Sequence, residues 1–138
     1  MKPAPFEYHA PTTVDEALSL LVEHGYDAKV LAGGQSLIPM MNFRLAQPSV
    51  LVDLFNIPDL AFINADEGGG LRIGAMTRHY QVETSDLAAE RAPLIHATMP
   101  KIAYPQVRTR GTFGGSISHA DPAAELPTLT TALDGKFR

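Results

Sequence analysis

At 138 residues, with 45% hydrophobic and 19% charged side chains, the chain has the size and composition of one soluble globular domain with room for a real core. A formal net charge of −4 argues against nucleic acid or an anionic membrane as partner, because both are bound by basic surfaces; any phosphate held here must therefore rest mainly on backbone donors. The absence of cysteine excludes disulfides, thiolate-held metals and iron–sulfur clusters within the chain.

The opening MKPAPFEYHAP carries no apolar run, and no later stretch is long enough to span a bilayer, so a cytoplasmic protein without membrane insertion is expected. Residues 6–8 predict a short strand closed by Pro11. Thr13 and Glu16 fit a capping box, each side chain satisfying an orphan amide, ahead of a helix with Val14, Ala17, Leu18, Leu21 and Val22 at helical spacing and Gly25 as its stop. Residues 29–32 predict a buried strand that empties into Gly33 and Gly34. Ser36 then caps a second helix carrying Leu37, Met40, Met41 and Leu45, with Pro39 inside its tolerant first turn and the methionines as core filling. Residues 50–54 predict another buried strand, ended by Asp53 as a turn or capping residue.

Pro58 halts the pattern, so residues 57–59 predict a link between a first lobe, 1–57, and a second, 58–138. The second lobe begins with a hairpin of residues 60–65 and 71–75 around a glycine-rich turn at 66–70. Thr77 is expected to cap a short helix through Val82, leaving His79 and Tyr80 near its start as a packed or surface pair. Leu94, Ile95, Thr98 and Ile102 predict a helix after Pro93 that Pro100 bends. Leu126, Leu129 and Leu133 supply the apolar face of a last helix. Short helices and strands alternate without repeats or low-complexity tracts, which predicts an α+β fold of two lobes.

The most unusual stretch is residues 111–127, GTFGGSISHADPAAELP. Gly111, Gly114 and Gly115 can take backbone angles closed to other residues and are expected to expose consecutive N–H groups, while Asp121 and Pro122 suit a helix entrance. The run LAGGQSL repeats this logic of glycines ahead of a capped helix, giving two candidate anion cradles. LAGGQSL is neither a Walker loop nor a GxGxxG fingerprint and has no lysine at the phosphate position, and glycine-rich turns also precede helices for structural reasons alone. Arg108 and Arg110 lead into the second cradle; either could pair with a ligand anion or hold the loop to a nearby carboxylate. Glu125 could face that cradle and accept hydrogen bonds from a ribose or adenine. Ser116, His119 and Asp121 are the residue types of a hydrolytic triad, but they crowd into six positions where triad members normally come from separate parts of a fold. The five histidines are scattered and no two share metal-ligand spacing, so no metal is expected.

Taken together, VLAGGQSLIPMMNFRLAQP (30–48) and RTRGTFGGSISHADPAAELP (108–127) closely resemble the flavin-binding medium subunit of molybdenum hydroxylases, of the carbon monoxide dehydrogenase medium-chain and xanthine dehydrogenase FAD-subunit type. LVDLFNIPDL and LRIGAMTRH between them also look like that family, and the resemblance covers the whole chain. It implies a two-lobed α+β flavin fold of the PCMH (vanillyl-alcohol-oxidase-like) type, with FAD between the lobes and its pyrophosphate on both glycine segments. Carried over by position, Leu31, Ala32, Gly33, Gly34, Gln35, Ser36 and Leu37 would form the first FAD loop, and Gly111, Thr112, Phe113, Gly114, Gly115 and Ser116 the second. Ile102 would lie close to the flavin, Asp121 and Glu125 would bind its ribose or adenylate end, and His119 would form no covalent link to it.

The resemblance further implies an electron-transfer role with no catalytic side chain of this chain's own. A large molybdopterin subunit would oxidise the substrate, a small iron–sulfur subunit with 2Fe–2S clusters would pass the electrons on, and an external acceptor such as NAD or a quinone would take them from the flavin. The lack of cysteine fits clusters carried by another polypeptide. Members of the family continue well past the position of Arg138, so the second lobe is expected to be incomplete. A stand-alone flavin oxidoreductase of the same fold and a cofactor-free interaction module are the competing expectations.

Overall fold

Thr13 Oγ1 accepts the amide of Glu16 at 3.2 Å and starts helix α1 (Val14–His24), as the capping pattern predicts. The glutamate half differs: its carboxylate takes the amide of Thr12 at 2.8 Å, one residue before the cap. The computed structural model describes residues 1–138, which divide into two compact units, Met1–Leu60 and Ala61–Arg138.

In the first unit, strands β1 (Glu7–His9), β2 (Ala28–Leu31) and β3 (Val50–Asp53) form a parallel sheet in the order β1-β3-β2. Helix α1 makes the crossover from β1 to β2, and helix α2 (Leu37–Asn42) lies between β2 and β3. Val52 stands opposite His9 on one side and Val30 on the other. Being central, β3 is buried on both faces, and Val50, Leu51 and Val52 accordingly form an unbroken apolar run. Ala17 from α1 packs on Ala28, Val50, Val52 and Ile57, with Leu20, Leu21, Leu54 and Leu60 around them. The covered side of α1 is therefore narrower than the apolar spacing predicts. Val14, Leu18 and Val22 are exposed, because strands of three and four residues offer little area to cover.

Asp53 ends β3 as expected, its Oδ1 accepting the amide of Phe55 at 2.9 Å while Oδ2 accepts the hydroxyl of Tyr8 at 2.7 Å. Leu54 then belongs to a 3-10 turn, Leu54–Asn56, and not to the strand. Ser36 occupies the cap position of α2 but makes no side-chain capping bond. Leu45 lies beyond the helix end and is exposed, the chain having turned at Arg44 with φ 57°.

The second unit opens with an antiparallel hairpin of β4 (Ile63–Ala65) and β5 (Leu71–Ile73). Its turn is closed by the Asp66 amide on Gly70 O at 2.9 Å and the Gly69 amide on Asp66 O at 3.0 Å. Six helices follow: α3 (His79–Glu83), α4 (Asp86–Arg91), α5 (Pro93–Thr98), α6 (Pro105–Arg108), α7 (Phe113–His119) and α8 (Glu125–Ala132). The 3-10 turn Met99–Lys101 after α5 marks the bend predicted at Pro100. Val82, Ala88, Ile95, Met99, Ile102, Phe113 and Leu126 form the core.

Thr77 does not cap α3. It is 1% exposed, and its hydroxyl accepts the Phe62 amide at 3.1 Å and donates to the Phe62 carbonyl at 2.9 Å, so the tertiary contact outcompetes the local one. The helix starts two residues later, with Gln81 Oε1 accepting the amide of Arg78 at 2.8 Å. Ser85, absent from the sequence expectations, caps α4 by accepting the amide of Ala88 at 3.1 Å.

Candidate functional site

Strand β2 delivers the chain into the first glycine segment. Gly34 has φ 71°, a region that L side chains rarely enter, and a Cβ there would meet Ile38 Cγ1 at 3.1 Å and Leu31 Cδ1 at 3.3 Å. This bend turns the main chain so that the amides of Gly33, Gly34, Gln35 and Ser36 find no acceptor within the chain; hydrogen bonding resumes with the Ile38 amide on Gly34 O at 3.2 Å. Gln35 supports the bend by donating from Nε2 to Gly33 O at 3.1 Å. Leu31, Ala32 and Leu37 flank it half-buried. A run of unpaired donors on a short turn is what an anion at close range requires.

The second segment is not the open turn its glycines suggest. Thr112 Oγ1 accepts the amide of Gly115 at 3.2 Å and caps helix α7, which already includes Phe113, Gly114, Gly115 and Ser116. The Phe113 amide bonds Thr77 O at 2.8 Å, Gly114 bonds Ala75 O at 2.8 Å, and Ser116 bonds Thr112 O at 3.1 Å. None of Gly111, Gly114 and Gly115 has positive φ. The expected exposure of consecutive amides there is overturned, because the neighbouring chain has claimed them. Gly114 is required by close approach: a Cβ would fall 2.6 Å from Ala75 Cβ and 2.8 Å from Ala75 O.

Of the two arginines before this segment, Arg108 holds the loop to a carboxylate. It is 7% exposed, with Nε on Glu83 Oε2 at 2.7 Å, Nη2 on Oε1 at 3.2 Å, and Nη1 on the carbonyls of Ile102 at 3.0 Å and Ala103 at 3.4 Å. The side chain of Arg110 is exposed, whereas its carbonyl accepts Arg78 Nη1 at 2.7 Å. Ile102 points its side chain into the core. Ala103 sits at φ 47°, a strained turn pinned by the guanidinium of Arg108. Ala103→Gly is expected to raise stability slightly, by up to about 1 kcal/mol, and Ala103→Val to lower it by about 1–2 kcal/mol, both read from the urea midpoint; equal midpoints would show the turn to be unstrained.

Asp121 makes a turn rather than a helix entrance. Its Oδ1 accepts the Ala123 amide at 2.8 Å and its carbonyl the Ala124 amide at 2.9 Å, so α8 begins only at Glu125, which is thus the first helical residue and not a turn inside. Both carboxylates are exposed. No hydrogen bond joins Ser116, His119 and Asp121, and no three metal-ligating side chains come together. Of the pair at the start of α3, Tyr80 is exposed and His79 buried.

Residues 4–138 match the family described as the FAD binding domain in molybdopterin dehydrogenase. The chain belongs to that family. Over 134 residues it is 48% identical to the alpha subunit of the 6-hydroxypseudooxynicotine dehydrogenase complex of Paenarthrobacter nicotinovorans, covering 97% of this chain and 45% of the relative. It is 47% identical over 137 residues to the carbon monoxide dehydrogenase medium chain of Hydrogenophaga pseudoflava, covering 99% and 47% respectively. Among solved structures, reconstituted CO dehydrogenase from Oligotropha carboxidovorans superposes with a TM-score of 0.93 at 45% identity, over 96% of this chain and 46% of that one. This FAD-binding domain thus spans less than half the length of the curated relatives it matches, and the resemblance carried by the two glycine motifs holds at family level.

The first segment, with the unpaired amides of Gly33 to Ser36 and the bend at Gly34, offers the kind of backbone donors that a phosphate-bearing cofactor such as the flavin of this family asks for. The second segment offers no such free donors and is instead a close-packed stretch whose amides are bonded within the chain. Sequence reasoning missed Arg78, His79 and Glu83, the side chains that hold this surface in place, since their partners lie 25 to 33 positions away.

Proposed function

We propose that this chain is the FAD-binding part of the electron-transfer subunit of a molybdenum hydroxylase complex. In this reading, electrons released by substrate oxidation on a large molybdopterin subunit travel through the 2Fe–2S clusters of a small iron–sulfur subunit to the flavin bound here and leave to an external acceptor, NAD or a quinone, in the cytoplasm. Bound FAD would supply the exchange between single-electron donors and a two-electron acceptor; the chain's own residues bind and orient it. The observation that carries the reading is the run of unpaired amides from Gly33 to Ser36 in a chain of flavin-binding descent. Leu31 to Leu37 would seat the pyrophosphate, and Gly111 to Ser116 would be the second segment to contact the cofactor. The exposed carboxylates of Asp121 and Glu125 are available to the ribose or adenylate end, and the backbone at Ile102, fixed by Arg108, would border the ring. The two units would then be the two lobes of the flavin fold. No side chain is asked to act as nucleophile or general base.

Gly34→Val tests this reading. A β-branched side chain at φ 71° both strains the bend and fills the approach to the amides. FAD per chain, read from flavin absorbance after desalting, is expected to fall by about tenfold or more, the equivalent of about 1.4 kcal/mol of binding. Gly25→Val is the control, since it shares positive φ (52°) but has nothing within 4 Å of its Cβ position. Undiminished flavin in Gly34→Val, or wild-type chain that takes up no FAD on reconstitution, would sink the reading and leave an interaction module.

A further inference from the structure

His79 takes no part in the cofactor contacts proposed above, yet it is the buried side chain on which the second glycine segment rests. It opens α3 and is 4% exposed. Its main-chain amide donates to Gly111 O at 3.0 Å, and its ring Nε2 lies 3.0 Å from Thr112 O. A carbonyl oxygen only accepts, so the ring must carry its proton on Nε2, leaving a lone pair on Nδ1. That Nδ1 is buried and has no partner. Ring and glycine are matched in shape, because a Cβ on Gly111 would fall 3.2 Å from both Cε1 and Nδ1 of His79 and 3.1 Å from Val107 O. Arg78 extends the grip through its bridge to Thr112 and its Nη1 bond to Arg110 O at 2.7 Å.

We propose that His79, as the neutral Nε2–H tautomer, is the positioning residue of segment 111–116, and that a proton arriving on Nδ1 releases this segment. Protonation would create a buried charged donor facing a glycine that offers it nothing, which costs far more than the neutral lone pair does. Burial is the main influence on the ring and pushes its pKa below the ordinary 6.5. The bond to Thr112 and the charge of Glu125 at the start of α8 oppose that shift, while Arg108 in α6, itself paired with Glu83, adds to it. The other elements packed against α3 carry His96, in α5, and Lys101, in the 99–101 turn, as their titratable groups. Because the unfolded chain binds the proton more readily, the contribution of His79 is fully present above pH 6.5 and is lost as the pH falls through the lowered folded value. The functional consequence, acid-triggered loss of cofactor, rests on the flavin reading; the positioning role does not.

The test is NMR on the purified chain, free and with added FAD, using imidazole nitrogen shifts together with amide-exchange protection at Phe113 and Gly114. The wild-type ring is expected to be the Nε2–H tautomer, titrating below 6.5, with protection at both amides falling in step with it. His79→Gln, whose side-chain amide can still donate to Thr112 O, is expected to keep the protection but with no such step. His79→Leu loses about tenfold at every pH, as removal of a buried hydrogen bond implies. An Nδ1–H tautomer, or identical pH profiles for wild type and His79→Gln, would overturn the proposal; these two comparisons decide it even if His79→Leu does not fold. If the amides switch as expected while flavin content ignores the same pH series, the positioning role stands and the flavin reading of this segment fails.

Discussion

Arg108→Ala is expected to destabilise the chain by about 3 kcal/mol, near the lower end of what breaking a buried ion pair costs because Glu83 keeps 21% of its side chain in water. The loss has three parts. Glu83 is left half-buried without its bidentate partner, the carbonyls of Ile102 and Ala103 lose their donor, and the strained turn at Ala103 loses its restraint. Against a total stability of about 5–15 kcal/mol for a domain of this size, that is a large fraction, readable as a shift of the urea midpoint. Arg108→Lys is not expected to rescue it, since an ammonium cannot reproduce a fork that meets two carboxylate oxygens and two carbonyls at once. A lysine variant as stable as wild type would show that charge alone, and not the fork, secures the turn.

Gly114→Ala should cost about 2–3 kcal/mol, even though alanine is the better helix former by about 1 kcal/mol. The added methyl would lie 2.6 Å from Ala75 Cβ, 2.7 Å from Ala75 Cα and 2.8 Å from Ala75 O, so it meets backbone that cannot rotate aside. Moving α7 away would break the Gly114 amide bond to Ala75 O and strain that of Phe113 to Thr77 O. Adding Ala75→Gly should restore only part of the loss, because it removes the nearest of the three contacts and leaves the other two. A double variant with full wild-type stability would mean that the clash is confined to the two methyl groups. Gly34→Val, by contrast, acts at a turn whose amides have no internal partner, so its effect should fall on cofactor retention far more than on folding.

The two glycine segments show what was legible in the sequence and why the rest was not. LAGGQSL read locally as strand, bend and helix, and its conformation is set locally, by φ at Gly34 and by the helix that follows. TFGG read the same way but folds as the first turn of a helix. The reason lies at Ala75 and Thr77, nearly forty positions earlier, and no short-range pattern announces it. Likewise Thr13 met the demands of a helix cap and became one, whereas Thr77 met the same demands and was diverted to Phe62. Helices α4 and α6 escaped notice because six and four residues carry too little periodicity to register. The family itself was legible because the two motifs together are rare, whatever conformation each adopts.

Strand β3 is the partner of both β1 and β2, which never touch each other. As the chain emerges from the ribosome, its first two strands therefore have nothing to pair with until Val50–Asp53 has cleared the exit tunnel, and then both are completed together. A translational stall shortly before that point would hold two unsatisfied β-edges exposed, where a chaperone or a neighbouring nascent chain is the nearest substitute.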